Sequence, residues 1–259
     1  MGTQILTRPL ELKAAWNSQY DRVAAEFAAR LGDSSGRIAE VGCGGGRLTI
    51  PLMKLLGDSE FVLVDKFADT TTWVRRQVLA ANLRKAKLRR RAYVVMSDYL
   101  KWIRAEHDAA YEGVISCEFL PEITRLGIGH FFPECFRVLK PGGVAVHCFW
   151  SPTPRNLRQR LVIIADSDPT WTRTPPAEWF SPEPTLVMRE LRRAGFTHLR
   201  KVTLKSHLVL RGHAAKIELE RWDVRPSFYE KHRKSIDKDG LEFPDWIIIS
   251  AKKPSRSPH

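Results

Sequence analysis

A short apolar run that leads into a glycine-rich turn limits the possible folds of this chain more than any other feature. Residues 38–41 are Ile-Ala-Glu-Val, and glycines then follow a G-x-G-x-G spacing at Gly42, Gly44 and Gly46. Residues 48–56 come next with a helix-like pattern. A strand, a tight turn and a helix N-terminus in this order let the backbone approach a nucleotide-like ligand closely. The segment therefore predicts such a ligand beside the turn.

Alternating strand and helix patterns continue along the chain and predict a parallel sheet with right-handed crossovers. After the first strand, the predicted strands are residues 61–65, 93–98, 113–118, 144–149, 199–210 and 245–250. The predicted helices are residues 10–31 (one helix or a pair), 68–87, 131–139, 156–165, 184–196 and 213–235, the last interrupted by Pro226.

Four ordered motifs resemble those of the class I S-adenosylmethionine-dependent methyltransferases, of the small-molecule type. They are Glu40 with the glycine turn, Asp65 ending the second strand, Ser97-Asp98 ending the third, and Leu-Lys-Pro-Gly-Gly at 139–143. The resemblance is close over residues 36–150. It implies an α/β fold with a doubly wound, mostly parallel, Rossmann-like sheet of seven strands, the last one antiparallel. It also implies S-adenosyl-L-methionine as the cofactor.

The same resemblance implies positions around that cofactor. Glu40 would lie near the methionine ammonium, Asp65 would accept the ribose hydroxyls and Asp98 would accept the adenine amino group. The full set of implied cofactor-binding residues is Glu40, Gly42, Cys43, Gly44, Asp65, Lys66, Phe67, Ser97, Asp98, Tyr99 and Cys117. Structural roles stay open for two of them, because Glu40 could interact with a helix dipole and Asp98 could cap the helix that starts near Tyr99.

The residues expected on the methyl-acceptor side carry less specific patterns. Glu118 and His147 are the candidate catalytic bases for an acceptor hydroxyl, and each is equally a candidate for a structural role. In the expected strand order, Cys43, Cys117 and Cys148 lie at neighbouring strand ends, and arsenite methyltransferases use several cysteines. Buried hydrophobic thiols are the favoured interpretation, and no metal site is predicted.

Aromatic residues of the second half are candidates for the wall of an acceptor pocket, although core packing is slightly favoured for each one. They are Trp171, Trp179, Phe180, Trp222, Phe228 and Tyr229. In the predicted N-terminal helix, Trp16 and Tyr20 could contact the cofactor, with core packing again favoured. The segment after strand four reads Ser-Cys-Glu-Phe rather than the Asn-Pro-Pro-Tyr of enzymes that methylate planar nitrogens. The part of the chain past residue 149 resembles enzymes that act on small metabolites, which implies a small-molecule acceptor.

The formal net charge of +13 over 259 residues raises the question of an anionic partner. The densest basic block, residues 84–91, precedes the third strand and is therefore expected at the sheet edge opposite the ligand. A solvated basic face is favoured there, and a nucleic-acid partner is possible but not favoured. No apolar run reaches the roughly 18 residues of a membrane span, and the four cysteines form no C-x-x-C pair. These features predict a cytoplasmic protein without a membrane partner.

The domain organisation follows from the same pattern. Residues 1–34 are expected to form an N-terminal helical cap and residues 35–259 the methyltransferase domain, with 35–150 as its cofactor-binding half and 151–259 as substrate-side elements and last strands. The predicted function is methyl transfer to a small molecule. Methylation of RNA or protein, or a cofactor-binding subunit without activity, are the alternatives. A nicotinamide-dependent oxidoreductase is disfavoured because Arg47 stands where the third dinucleotide glycine would be.

Overall fold

The computed structural model describes residues 4–7, 9–32, 36–67, 75–123, 125–166, 182–222 and 224–255. Its strands are β1 (Gln4–Leu6), β2 (Arg37–Val41), β3 (Glu60–Asp65), β4 (Ala92–Met96), β5 (Tyr111–Cys117), β6 (Leu139–Trp150), β7 (Thr197–Leu204), β8 (Leu208–Leu210), β9 (Leu241–Glu242) and β10 (Trp246–Lys252). Its helices are α1 (Pro9–Leu31), α2 (Thr49–Leu55), α3 (Arg76–Lys85), α4 (Tyr99–Ala105), α5 (Arg125–Val138), α6 (Leu157–Asp166), α7 (Pro184–Arg193), α8 (Gly212–Arg221) and α9 (Pro226–Lys238). Two short 3₁₀ turns cover Arg89–Arg91 and Leu120–Glu122.

The main sheet confirms the predicted fold class. Its seven strands run in the order β4-β3-β2-β5-β6-β10-β7. The pairings among β4, β3, β2, β5 and β6 are parallel, and β10 is antiparallel to both of its neighbours. The chain reverses its direction of travel across the sheet between β2 and β5, which is where an open α/β sheet forms its ligand crevice.

Helices cover both faces of this sheet because its central strands are apolar on both sides. Ile38, Leu63 and Val146 pack on one face in a core shared with α1, α2, α3, α6, α8 and α9. Ala39 and Val64 pack on the opposite face in a core shared with α4, α5 and α7. Near-continuous hydrophobic strands buried on both faces are typical of parallel sheets.

From α5 onward, the chain differs from the prediction in three respects. The strand expected over residues 199–210 is two strands in two sheets: β7 ends at Leu204, and β8 belongs to a separate sheet of order β1-β8-β9. The turn expected at residues 139–143 is the opening part of β6, and the helix before it begins at Arg125 rather than at residue 131. Among the predicted aromatic residues, Trp171, Trp179 and Phe180 lie outside the described residues.

The basic block lies where the sequence places it. It spans the end of α3 and the 3₁₀ turn that leads into the first residue of β4, at the amino-terminal edge of the parallel strands. Within the described residues, every helix is too short or too polar to cross a membrane.

Candidate cofactor-binding site

The glycine turn after β2 is fixed against the neighbouring strand. The amide of Gly42 donates to the carbonyl of Val64 over 2.8 Å, and that of Gly46 donates to Cys43 over 2.9 Å. Gly42 has a φ of 76°, and a Cβ there would come within 2.9 Å of the Phe119 Cβ. Glycine is therefore required for both the backbone conformation and the close approach.

Gly44 faces open space and connects the turn to Asp65. A Cβ on Gly44 would meet no atom within 4 Å. The Gly44 amide donates to Asp65 Oδ2 over 2.9 Å, and the Phe67 amide donates to Oδ1 over 2.7 Å. These bonds orient the carboxylate at the carboxyl end of β3, beside the open side of the turn. A carboxylate at this position can accept hydrogen bonds from a ligand's hydroxyl groups.

Glu40 lies beneath the turn, and only 2% of its surface is exposed. The hydroxyl of Thr49, the first residue of α2, donates to Glu40 Oε2 over 2.7 Å. Burial raises the pKa of Glu40 to about 8, the Thr49 hydrogen bond lowers it and the charge of Asp65 raises it further. Glu40 therefore contacts the helix terminus, as the structural alternative predicts, and lies close to Asp65.

The third strand ends in a capped helix. Asp98 Oδ1 accepts the amides of Leu100 and Lys101, so the N-cap role proposed for Asp98 is confirmed. Its second oxygen lies 2.7 Å from Lys66 Nζ. Burial opposes ionisation of Asp98, but the bonds from Lys66 and from the two amides keep its pKa below the ordinary value. Lys66 and Asp98 thus form an ion pair on the side of the site predicted to hold the adenine.

Three further residues of the predicted adenine side have mainly local contacts. Ser97 Oγ donates to the carbonyl of Asp98 over 3.0 Å. Phe67 has a left-handed φ of 50° directly after β3. Tyr99 packs edge-on against Phe119 and Phe131, with ring centroids 5.1 and 5.7 Å apart. These contacts show how the loops are held, and their roles toward a cofactor stay predictions.

Two of the three thiols meet at the centre of the sheet edge. Cys117 and Cys148 are register partners on β5 and β6, and their side chains share a hydrogen bond. Burial raises the pKa of Cys148 well above its ordinary value. Burial also raises the pKa of Cys43, and the charges of Glu40 and Asp65 raise it further. Within the described residues, no three His, Cys, Asp or Glu side chains come together as a metal site.

Glu118 follows β5 in a strained conformation. Its φ is 55°, a value that residues other than glycine seldom adopt, and its amide donates to the carbonyl of Cys148 over 2.9 Å. Strained residues of this kind cluster at functional sites. The turn places Glu118 at the carboxyl edge of the sheet, beside Cys117.

His147, the other candidate base, is completely buried within β6. Its Nδ1 shares a hydrogen bond of 2.8 Å with Ser116 Oγ, and its ring lies 5.8 Å from Phe131 and 5.1 Å from Phe132 between ring centroids. Burial lowers its pKa to about 3. This environment favours a structural role for His147 over the predicted catalytic one.

Helix α1 adds residues whose arrangement was not predicted from the sequence. The Arg47 guanidinium lies 5.6 Å from the ring centroid of Trp16 and 5.9 Å from that of Tyr20. Burial raises the pKa of the Tyr20 hydroxyl, and Cys117 and Glu118 raise it further. Arg47 lowers this pKa through its charge and through the hydrogen bond that its guanidinium donates to the hydroxyl oxygen. Tyr20 thus connects α1 to the end of β5. The signal in the sequence was the arginine directly after the glycine turn.

The described aromatic residues of the second half pack mainly in the core. Trp222 lies 5.8 Å from Trp150 and 5.4 Å from Phe243 between ring centroids. Phe228 is buried beside His232 on α9. These contacts agree with the core-packing interpretation.

Sequence comparison finds a similarity for the cofactor-binding half. Residues 38–143, from β2 into β6, match the sequence profile of a family described as a methyltransferase domain. This part of the chain is similar to methyltransferase domains. The order of the strands in the main sheet agrees with that similarity. A search among curated proteins finds no match to this chain.

Solved structures share the class I methyltransferase fold along most of the chain. A SAM-dependent methyltransferase from Archaeoglobus fulgidus is 16% identical with a TM-score of 0.58, and the alignment covers 92% of this chain and 94% of that one. Phosphoethanolamine N-methyltransferase 2 of Haemonchus contortus is 14% identical with a TM-score of 0.56, and the alignment covers 90% of this chain and 52% of that one. Geranyl diphosphate methyltransferase is 15% identical with a TM-score of 0.56, and the alignment covers 90% of this chain and 85% of that one. At these identities the likeness concerns the fold.

Proposed function

We propose that this protein transfers a methyl group from S-adenosyl-L-methionine to a small-molecule acceptor. The observation that carries the proposal is the position of Asp65, whose two oxygens are held by the amides of Gly44 and Phe67 beside the open side of the glycine turn. A carboxylate fixed at the end of the second parallel strand suits the paired hydroxyls of a ribose.

The residues around the turn fit the proposed cofactor. Asp65 would hold the ribose, Gly42 to Gly44 would allow close approach of the backbone, and Glu40 would lie toward the methionine ammonium. A cation brought next to the buried Glu40 would favour its ionised form. S-adenosyl-L-methionine supplies, when bound, a methyl group on a positively charged sulfur with a good leaving group.

The protein's own contribution to such a reaction is mainly positioning. Orientation of two reactants can supply a large part of the acceleration, and a base is needed only for an acceptor that must lose a proton. Glu118 is the base we propose for such an acceptor, since it lies in a strained turn at the carboxyl edge of the sheet and near Tyr20.

Two features support a small acceptor. Helix α1 packs against α2 and β6, so Trp16 and Tyr20 cover one side of the crevice. Among proteins of the same fold, one structure contains phosphomonomethylethanolamine and another is a geranyl diphosphate methyltransferase. Both names indicate small acceptors.

Calorimetry with S-adenosylhomocysteine tests the cofactor part of the proposal. Replacing Asp65 by Ala removes the proposed ribose acceptor and should weaken binding by about 1 to 3 kcal/mol, or roughly 5- to 150-fold. The matched control is Asp58→Ala, because Asp58 is exposed beyond α2 at the opposite end of the strands. Equal affinity for S-adenosylhomocysteine in the Asp65 variant and the wild type, or tighter binding of NADH, would refute the proposal.

Turnover separates the role of Glu118 from cofactor binding. Glu118→Gln keeps the size of the side chain but removes its basicity, so methylation of an acceptor hydroxyl should slow by at least about 100-fold while the affinity for S-adenosylhomocysteine is retained. The measurement is single-turnover methyl transfer to a panel of small hydroxyl and amine compounds. Unchanged rates in the variant would exclude Glu118 as the base.

A further inference from the structure

The arginine that follows the glycine turn is held against aromatic side chains of α1. Arg47 is half-buried and lies between Gly46 and the first turn of α2. Its guanidinium lies 5.6 Å from the ring centroid of Trp16 and 5.9 Å from that of Tyr20, and it donates a hydrogen bond to the Tyr20 hydroxyl. A guanidinium held in this way keeps its planar fork of donors in one orientation.

The aromatic wall that holds the guanidinium is itself packed in the core. Trp16 Nε1 donates to Glu218 Oε1 over 2.9 Å, and the Trp16 ring lies 4.5 Å from Phe243 between ring centroids. The Tyr20 ring lies 5.6 Å from that of Trp246. Binding costs less when the binding side chain is already ordered. The guanidinium is therefore in place before a ligand arrives.

The contacts of Tyr20 show where this cation lies along the edge of the sheet. Cys117 and Glu118, at the end of β5, act electrostatically on the same hydroxyl that bonds to Arg47. Because β2 lies between β5 and β3, Arg47 is on the β5 side of the glycine turn and Asp65 is on the β3 side. Two strand spacings separate the ends of β3 and β5 by about 10 Å.

The crevice between these two sides is bordered by acids. Glu40 and Asp65 lie close together at the glycine turn, and Glu118 follows β5. An anion that enters among three carboxyl groups is repelled unless a cation lies beside it. Arg47 suits this task, because a guanidinium can donate two parallel hydrogen bonds to a carboxylate.

The proposed cofactor carries an anion of this kind. Beyond its ribose, an S-adenosyl compound has an amino acid with an ammonium and a carboxylate. Glu40 suits the ammonium, and the carboxylate needs a donor group of its own. With the ribose at Asp65 on the β3 side, the amino acid is left for the β5 side, where Arg47 lies.

We propose that Arg47, positioned by Trp16 and Tyr20, binds the carboxylate of the cofactor's amino acid. Arg47 thereby selects cofactors with an intact amino acid over adenosyl thioethers without the carboxylate. This inference rests on the proposed function, because it requires an S-adenosyl compound in the crevice.

Calorimetry with two ligands tests the inference. S-adenosylhomocysteine has the carboxylate, and 5′-deoxy-5′-(3-aminopropylthio)adenosine is the same molecule without it. The wild type should bind S-adenosylhomocysteine about 10- to 150-fold more tightly, the range expected for hydrogen bonds between charged groups. Arg47→Met keeps an apolar stem of similar length, so it should weaken S-adenosylhomocysteine by the same factor and leave the affinity for the analogue unchanged.

Tyr20→Phe tests the positioning of the guanidinium. The variant keeps the ring and removes the hydroxyl to which Arg47 donates. It should weaken S-adenosylhomocysteine by about 2- to 10-fold, the effect of one neutral hydrogen bond, and leave the affinity for the analogue unchanged. A general packing defect would weaken both ligands alike.

The matched control for Arg47→Met is Arg192→Met. Arg192 is exposed in the last turn of α7, which leads into the start of β7. Since β7 and β6 are both antiparallel to β10, that start lies at the amino-terminal edge of the sheet, away from the crevice. The control should bind both ligands as the wild type does, and melting temperatures show that each variant is folded.

Equal affinity of the wild type for the two ligands would overturn the inference without any variant. An equal loss for both ligands in Arg47→Met would also overturn it. So would an unchanged affinity for S-adenosylhomocysteine in that variant, which would leave Arg47 for an anionic acceptor instead.

Asp65→Ala separates this inference from the proposed function. Both ligands contain the ribose, so both should bind that variant more weakly. If they do while Arg47→Met has no effect, the proposed function is retained and only the role of Arg47 is rejected. If the wild type binds neither ligand, the proposed function itself is rejected.

Discussion

At the scale of single residues, Glu40 couples the cofactor site to folding. It is buried, and its pKa of about 8 lies well above the ordinary value of 4.5. An acid whose pKa rises on folding contributes stability that is fully present below pH 4.5 and is lost as the pH rises toward 8. Ionisation of the carboxylate that the site is proposed to use therefore lowers the free energy of unfolding of the unliganded protein at alkaline pH.

Glu40→Gln tests this cost. The variant keeps the shape of the side chain and cannot ionise, so its free energy of unfolding should exceed that of the wild type at pH 9 by at least about 1 kcal/mol. At pH 5 the two proteins should differ much less. Urea unfolding at both pH values is the measurement. A wild-type stability that is no more pH-dependent than that of the variant would contradict the burial argument.

Residue-level prediction worked where one local pattern fixes the geometry. Asp65 was predictable because a buried strand that ends in an acid must present it at the sheet edge. The placement of Arg47 over Trp16 and Tyr20 was not predictable, since the two aromatic residues lie about thirty positions earlier and meet Arg47 only through the packing of α1.

At the scale of elements, a buried polar network joins α6 to the last strands. Asp245 accepts Arg155 Nε over 2.7 Å, Gln159 Nε2 over 3.0 Å and the Ser206 amide over 3.0 Å. Glu242 accepts the same arginine over 2.8 Å. The network also holds the chain between β7 and β8, because Ser206 lies in that connection.

Asp245→Ala should destabilise the protein by about 3 kcal/mol, because it removes one acceptor from three donors and leaves buried polar groups without a partner. Urea unfolding followed by circular dichroism measures the change. The control is Asp21→Ala on the exposed face of α1, with an expected effect within about 0.5 kcal/mol. A loss below 1 kcal/mol in Asp245→Ala would show that the network is dispensable.

The same network explains why the single strand predicted over residues 199–210 is two separate strands in the structure. Residues 199–210 look continuous in the sequence, but Ser206 bonds to Asp245, and β8 pairs with β1 and β9 instead of continuing β7. Strands of two or three residues carry no usable periodicity, so a partner far along the chain decides their existence. The long buried strands β2, β3, β5 and β6 were predictable because each has its own apolar run and its own turn.

At the scale of the whole molecule, the sheet separates two ends with different chemistry. The carboxyl edge carries the carboxylates of Glu40 and Asp65 close together at the glycine turn. The amino edge presents the cations Arg84, Lys87, Arg89 and Arg90 around a surface depression beside β4. The parallel strands hold these ends apart by their own length. A ligand at one end should therefore leave the other end's affinity unchanged unless the sheet itself deforms.

Thermal unfolding tests in one experiment whether the two ends of the sheet affect each other's ligand binding. A ligand that binds only the folded state, present at 100 times its dissociation constant, adds about 2.7 kcal/mol of stability. For a domain of this size that corresponds to a rise in melting temperature of about 5 to 10 °C. We expect S-adenosylhomocysteine to give this rise in the wild type and in Lys87→Gly, and to give a clearly smaller rise in Asp65→Ala at the same concentration, because that variant binds it more weakly. An equal rise in all three proteins would place the ligand away from Asp65, whereas an equally reduced rise in both variants would mean that the two ends are coupled through the sheet.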